Sequence, residues 1–319
     1  MFAIIGTVTA DLMVLSERLP TGLSGDGFRS SNLVFTEKPV AISMGGNGGN
    51  SAYVLAGLGA PTALCGAVGQ DLLGDALVGW LNARQVDLRG LTRSATHATS
   101  SSTIIMTDSA TQTVYHHLGS TAIAAFEEMP DALFATAEAL LVSSFPIMPK
   151  LRDGGFAAAL AQVHAAGGIT ALDVGPAIGK PVTMNELTHL LPTVDYLIAN
   201  SHELTSLTGA AAWPDAAQRV LAAGARHVVI KQGAAGASIW SPTEQITAAG
   251  FNVKANISVG AGDSFNVGLL YGLQRRWPLQ RALRFGNAVA AMVVAGPRGV
   301  LSSPTLAQVE EFLNLNHPE

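Results

Sequence analysis

From about residue 130 to the end of this 319-residue chain, short apolar runs and longer Ala- and Leu-rich stretches take turns, with glycine at many of the joints. An apolar run of four or five residues suits a strand covered on both faces, whereas the longer stretches have helical length and spacing. The pattern predicts strands at Ala139–Ser143, Ile169–Asp173, Tyr196–Ala199 and His227–Lys231. It predicts helices over 150–166, from Ser201, and over Trp213–Ala223, Asp263–Arg275, Leu279–Val294 and Leu306–Leu313. Such alternation builds an α/β fold, a mostly parallel central sheet with helices on both faces. In sheets of this kind ligands bind beyond the carboxyl ends of the strands, where the glycines fall here.

The amino-terminal part reads differently. Phe2–Val8 is predicted as one buried strand, and Thr62–Val68 as an apolar strand with Cys65 in the core. Two patches, 26–43 and 100–118, alternate like half-exposed β structure, the second around a polar turn at Asp108-Ser109-Ala110. They are expected to pair into a small sheet apart from the main one.

Composition narrows the function. Hydrophobic residues make up 48% and charged residues 13%, enough to bury a large core, and one domain spanning 1–319 is expected. The net charge of −5 and the scattered Lys and Arg exclude a nucleic-acid-binding field. One cysteine excludes a disulfide framework, and the eight histidines lack metal-ligand spacing. The apolar run Met1–Gly6 has no basic start, and no stretch is long enough to span a membrane unbroken. A cytoplasmic protein is expected.

Two segments carry chemistry. In Val259-Gly260-Ala261-Gly262-Asp263-Ser264 a loop of small residues opens into a helix. Free amides at a helix start, with the positive end of its dipole, make an anion site, and the Asp263 carboxylate could take a proton from an attacking hydroxyl. Asp263 as a simple helix cap is the competing reading. In Gly45-Gly46-Asn47-Gly48-Gly49-Asn50-Ser51-Ala52 four glycines and two amides leave little bulk at another helix entry. That suits a polyhydroxylated ligand, or only a tight crossover turn. A dinucleotide fingerprint fails because Phe265 stands where its third glycine would be. Gly175–Lys180 imitates a phosphate loop one residue short, with Pro181 in place of Ser or Thr.

These segments together resemble the two signatures of the ribokinase/pfkB carbohydrate kinase family, the first over 45–74 and the second over 256–269, with further likeness at Gly6–Asp11, Ala199–Glu203 and Asn287. The resemblance implies a ribokinase-like fold in which the β patches, 26–43 and 98–118, form a lid over the sugar. It implies Asp263 as catalytic base beside an anion hole of Gly260, Ala261 and Gly262. It places Asp11, Gly46, Asn47 and Asn50 on the substrate. It places Asn200, Lys231, Gly233, Gly236 and Asn287 around ATP, and Glu203, within Asn200-Ser201-His202-Glu203, near Mg²⁺. From the residues alone, 200–203 reads equally as a capping box, Gly233 and Gly236 as a hairpin turn, and Asn287 as a solvent-facing helix residue. A homodimer through the lid is implied as well.

Departures from the family pattern bear on the substrate. Thr9 stands where Asn is usual, Asn47 where many ribokinases have Lys, and Ser144-Phe145 where a sugar-binding Glu is common. Phe145 is then available to stack on a sugar or a base. Asn256-Ile257-Ser258-Val259 replaces the Asp-Thr that accompanies K⁺, so a monovalent-cation requirement is not expected. His116 and His117, Asp71 and Arg298 are given no role in the chemistry. The expected activity is ATP-dependent phosphorylation of a primary hydroxyl on a sugar or sugar acid. The alternatives are a nucleoside kinase or a non-catalytic sugar- or nucleotide-responsive protein.

Overall fold

The computed structural model describes residues 1–15, 35–36, 38–106, 112–176 and 178–316. The predicted alternation becomes a nine-stranded sheet. Its parallel part joins β1 (Phe2–Ile5), β4 (Thr62–Gly69), β5 (Asp87–Ser94), β8 (Ala139–Val142), β9 (Ile169–Asp173), β10 (Tyr196–Asn200) and β11 (His227–Lys231) in the order β5-β4-β1-β8-β9-β10-β11. Two antiparallel strands, β12 (Ala237–Trp240) and β13 (Gln245–Ala248), extend the β11 edge.

Because successive side chains of a strand point to opposite faces, each apolar strand feeds two cores. Phe2 and Ile4 of β1 join one cluster with residues of helices α1 (Asn47–Gly57), α2 (Leu72–Ala83), α8 (Ala261–Gln274), α9 (Leu279–Ala295) and α10 (Leu306–Leu315). Ala3 and Ile5 join the other with α3 (Asp131–Ala135), α4 (Phe156–Ala165), α5 (Met184–Leu190), α6 (Ser201–Thr208) and α7 (Trp213–Ala222).

A second sheet stands apart. It has four strands in the order β3-β2-β6-β7: β2 (Thr9–Leu15), β3 (Ala41–Gly45), β6 (Ser100–Met106) and β7 (Gln112–His117). Strands β2 and β6 run parallel, and the outer pairings are antiparallel.

Four expectations need correction. The run Phe2–Val8 is not one strand. The chain leaves the central sheet after Ile5, and Thr9 begins β2 of the small sheet, so Asp11 lies on β2 rather than at the end of β1. The break comes at Gly6, where a Cβ would fall 2.7 Å from the Gly48 backbone nitrogen and 2.4 Å from Ser143 Oγ. Both sides of the break are buried, so hydrophobicity alone does not reveal it. The helix over 150–166 is regular only from Phe156, because a wide turn at Leu151–Gly155 places Gly154 at φ 97. The helix expected from Asp263, α8, begins at Ala261, two residues earlier. Of the patch at 26–43, residues 26–34 and 37 lie outside the described residues, and within the rest only Ala41–Gly45 is a strand. The turn at 108–110 also lies outside them.

Candidate active site

The carboxyl ends of five adjacent parallel strands form one edge. Thr7 follows β1 there, Ser144 follows β8, and Asp173, Asn200 and Lys231 end β9, β10 and β11. Helices α1 and α8 both start against this edge. Asp263, in the first turn of α8, is 8% exposed, and both of its oxygens accept from α1: Oδ1 from Asn47 Nδ2 at 3.0 Å and Oδ2 from Asn50 Nδ2 at 2.8 Å. Burial pushes its carboxyl up to about 6, with the Asn50 bond opposing and the charge of Asp173 adding to the rise. A carboxyl near that value can exchange a proton close to neutral pH.

Gly260 caps α8 in the left-handed region, at φ 81, where glycine is at ease. The Ala261 N–H is turned to Ser258 O at 3.3 Å. The amides at 262 and 263 find no acceptor among the described residues, and they point their hydrogens out of the helix start.

On one side of Asp263 a cleft of about 220 Å³ runs under the small sheet, lined by Thr7, Thr9, Asp11, Gly46, Asn47, Asn50, Ser102 and His116 among others. Burial raises the Asp11 carboxyl from 3.8 to about 6, against a hydrogen bond from Ser102. His116 enters the cleft with Nδ1 3.1 Å from Ser102 Oγ, and burial, then His117, lowers its proton affinity. Adjacent histidines on a strand face opposite ways, and the pairing of Ser102 with His116 puts His116, given no role from the sequence, on the cleft face.

Folded Asp11 holds its proton more tightly than the unfolded chain does. Its contribution to stability is therefore complete below pH 3.8 and is lost as pH rises through 6. Asp11→Asn is accordingly expected to be more stable than the wild type by on the order of 2 kcal/mol at about pH 7.5, with no difference near pH 4. Urea unfolding at the two pH values checks this, and an Asn variant less stable at the higher pH contradicts it.

On the other side, a cleft of about 330 Å³ is lined by Asn47, Asp173, Asn200, Glu203, Lys231, Gly233, Gly262 and Asp263. Lys231 Nζ donates to Asp173 Oδ2 at 2.9 Å, and Asn266 Nδ2 donates to the same oxygen. Asp173 and Asn266 were not anticipated; a carboxylate closing an apolar strand was the available signal for the first. Glu203 and Asn200 do form a capping box, Glu203 Oε2 accepting from Asn200 N at 2.7 Å and Asn200 Oδ1 from Glu203 N at 2.8 Å. Burial and then the charge of Asp173 raise the Glu203 carboxyl.

This cleft continues, through Lys231, Gly233 and Gly262, into a slot of about 300 Å³ with walls that include Phe251, Val253, Phe265, Ala290 and Val294, and with Gly236 and Asn287 at its side. Asn287 is 7% exposed rather than solvent-facing, and its Nδ2 donates to the carbonyls of Ala248 and Ala249 at 3.0 and 3.1 Å.

Phe145 is corrected. It is 3% exposed and stacked on Phe156, with centroids 5.0 Å apart, and it faces none of these clefts.

The profile of the pfkB family carbohydrate kinases matches residues 2–306. The chain belongs to that family. This carbohydrate kinase is 29% identical to the ATP-dependent ribose-1-phosphate kinase of Halopiger xanaduensis, covering 97% of this chain and 96% of the relative. It is 40% identical to the 5-dehydro-2-deoxygluconokinase of Geobacillus kaustophilus over 91 residues, 28% of this chain and 27% of that one. Its fold matches the structure of Arabidopsis thaliana ribokinase complexed with ribose and ATP at a TM-score of 0.83 and 22% identity, covering 98% of each chain. The kinase is thus a ribokinase-like α/β protein and a phosphotransferase acting on sugars. No helix among its described residues is long and apolar enough to cross a membrane. In this kinase Asp71, inside the first signature, caps α2 by accepting from Gly74 N at 2.8 Å and also accepts from Thr99 N at 2.7 Å, a bracing contact between segments.

Proposed function

We propose that this kinase moves the terminal phosphoryl group of ATP onto a primary hydroxyl of a sugar or sugar acid, with Asp263 as the general base. One observation carries the reading. Asp263 lines both the cleft under the small sheet and the cleft that leads past Lys231 to the apolar slot, so it stands where an acceptor from one side meets a phosphate from the other. Asp11, Gly46, Asn47 and Asn50 orient the acceptor. The free amides of Gly262 and Asp263 at the start of α8, beyond the Gly260 turn, take charge from the transferred group. Gly233 and Gly236 let the backbone approach the nucleotide, and Asn287 flanks its base.

The donor set suits Mg²⁺. Among the described residues no three His, Cys, Asp or Glu cluster as a metal cage. Mg²⁺, however, binds through one or two carboxylates, phosphates and its own waters. Burial raises the Glu203 carboxyl first and the charge of Asp173 second, and a divalent cation relieves both, so Glu203, braced by Asn200, is the residue to hold it through such waters. Bound there, Mg²⁺ neutralises phosphate charge.

K⁺ does not fit the turn after residue 255. Asn256 donates Nδ2 to Ala295 O and its N–H to Val294 O, both at 2.7 Å, occupying carbonyls of the adjoining segment. Exchanging Na⁺ for K⁺ should leave the rate essentially unchanged; a large rise contradicts this.

Register places Ile42, Leu12, Thr103 and Tyr115 in one row on the face of the small sheet opposite Asp11, Ser102 and His116. Ile42 and Tyr115 in that row are 48% and 64% exposed. This outer apolar face supports a homodimer. Light scattering should give twice 32.8 kDa, and a monomer at working concentration removes the assignment. The one cysteine, buried and free, agrees with a cytoplasmic setting.

The deciding experiment is ADP release across ribose, ribose 1-phosphate, fructose, ketodeoxygluconate, 5-dehydro-2-deoxygluconate, adenosine, inosine and cytidine. The reading expects a sugar or sugar acid to be preferred. A preferred nucleoside, or binding without ADP release from any of them, overturns it. With Phe145 buried, the stacking surface that left a nucleoside open is gone.

A further inference from the structure

Among the described residues three that are not glycine have positive φ. Gln85 and Arg276 are exposed and lie just past helix ends, where left-handed residues are ordinary. Ser144 is different. It follows a strand, is 2% exposed, and sits at φ 62, ψ 23. Glycine would adopt that backbone without strain, and a buried serine keeps it only where its surroundings over-determine it.

The hydroxyl supplies the reason. Ser144 Oγ accepts from Thr7 N at 3.2 Å, lies 2.9 Å from Thr7 Oγ1, and donates to Asn47 Oδ1 at 3.1 Å. A serine has one hydrogen to give. With that hydrogen on Asn47, the Thr7 hydroxyl must donate to Ser144, and it accepts in turn from Asn47 N at 3.2 Å. The ring of bonds closes with one sense. Within it the Asn47 amide has one orientation: oxygen toward Ser144, and Nδ2 toward Asp263 Oδ1 at 3.0 Å. A flipped amide would turn its oxygen against the carboxylate.

We propose that Ser144 is a positioning residue, whose hydroxyl locks the Asn47 amide so that Nδ2 holds one oxygen of Asp263 while Asn50 holds the other. The proposal rests on reading Asp263 as the base. Asp263 also feels Asp173 from β9 and Lys231 from β11, and Asp11 and His116 of the small sheet line the same cleft. None of these touches Ser144 through a hydrogen bond, so removing the hydroxyl alters only the Asn47 side of the balance.

The test follows the side-chain carboxyl of Asp263 in the full-length protein by ¹³C NMR, its signal assigned by loss in Asp263→Asn and titrated without substrate. Ser144→Gly removes the hydroxyl and relieves the backbone, which offsets part of the cost of leaving the Thr7 N–H without its acceptor, and thermal unfolding confirms that the variant is folded before titration. In Ser144→Gly and in Asn47→Ala the midpoint should rise by roughly half a pH unit or more, because a donor to the ionised form is loosened or lost. The double variant should rise no further than Asn47→Ala alone. An unmoved midpoint in Ser144→Gly, or a double shift equal to the sum of the singles, overturns the proposal. Because no substrate is present, a failure to transfer phosphate strikes the kinase reading separately and leaves this titration to be judged by itself.

Discussion

Asp263→Asn is expected to lower kcat by between about 10²- and 10⁴-fold, the range a positioned general base contributes, and to leave ATP affinity nearly unchanged. The substitution keeps the size of the side chain but removes the proton acceptor, and its Nδ2 then meets one of the two amide donors, of Asn47 or Asn50, that the carboxylate accepted from. ATP affinity should hold because the slot beside Asn287 and the amides at the start of α8 are untouched. Steady-state ADP release with the preferred sugar gives kcat, and calorimetry gives the nucleotide affinity. An Asn variant with near-full turnover removes the role assigned to Asp263. One that loses ATP affinity in proportion shows that the carboxylate shapes the phosphate site rather than taking a proton.

The second large effect lies at the strand ends beside Asp263. Lys231 and Asp173 form an ion pair with side chains 14% and 3% exposed. Taking away one partner of a pair so buried leaves an uncompensated charge, and Lys231→Met should cost about 3 kcal/mol of stability. Asn266 would remain as a donor to Asp173, and Gly175 N donates to its other oxygen at 3.1 Å, so the loss falls toward the lower end of what such removals cost. Adding Asp173→Asn should restore part of the stability, because the stranded charge is then gone. Phosphoryl transfer should fall in both, since Lys231 is a cation placed between the apolar slot, where the proposed reading puts the nucleotide, and Asp263. Urea unfolding of the single and double variants reads the stability. A double variant no more stable than Lys231→Met would mean that the carboxylate was not stranded.

The parts of this molecule that the sequence made legible are those encoded over a few neighbouring residues. The core strands from Ala139 onward were readable because short runs of apolar residues bounded by polar or glycine-bearing joints leave little else to be. The two Gly-rich helix entries were readable because their lack of side chains is itself the feature. Local patterns fail where the chain crosses between sheets without changing character, as at Gly6–Val8, and where a glycine breaks a turn inside an Ala-rich stretch, as at Gly154. They fail most for contacts between distant segments. Asn50 and Asp263 are 213 residues apart, Asp173 and Asn266 are 93, and Thr7 and Ser144 are 137. What Asp173, Ser144 and His116 do is decided by which strand ends the sheet order brings together, and no window along the chain contains that order. Phe145 shows the converse. An aromatic beside a motif invited a ligand role, and the core claimed it.

The central claim is that a phosphate travels between the two clefts past the start of α8. A crystal structure with Mg²⁺ and a non-hydrolysable ATP analogue tests it most directly. The account predicts the base in the apolar slot beside Asn287, the phosphates passing Lys231, and the terminal phosphate on the amides of Gly262 and Asp263. A nucleotide bound elsewhere, or a terminal phosphate directed away from those amides and from the Asp263 carboxylate, would contradict it.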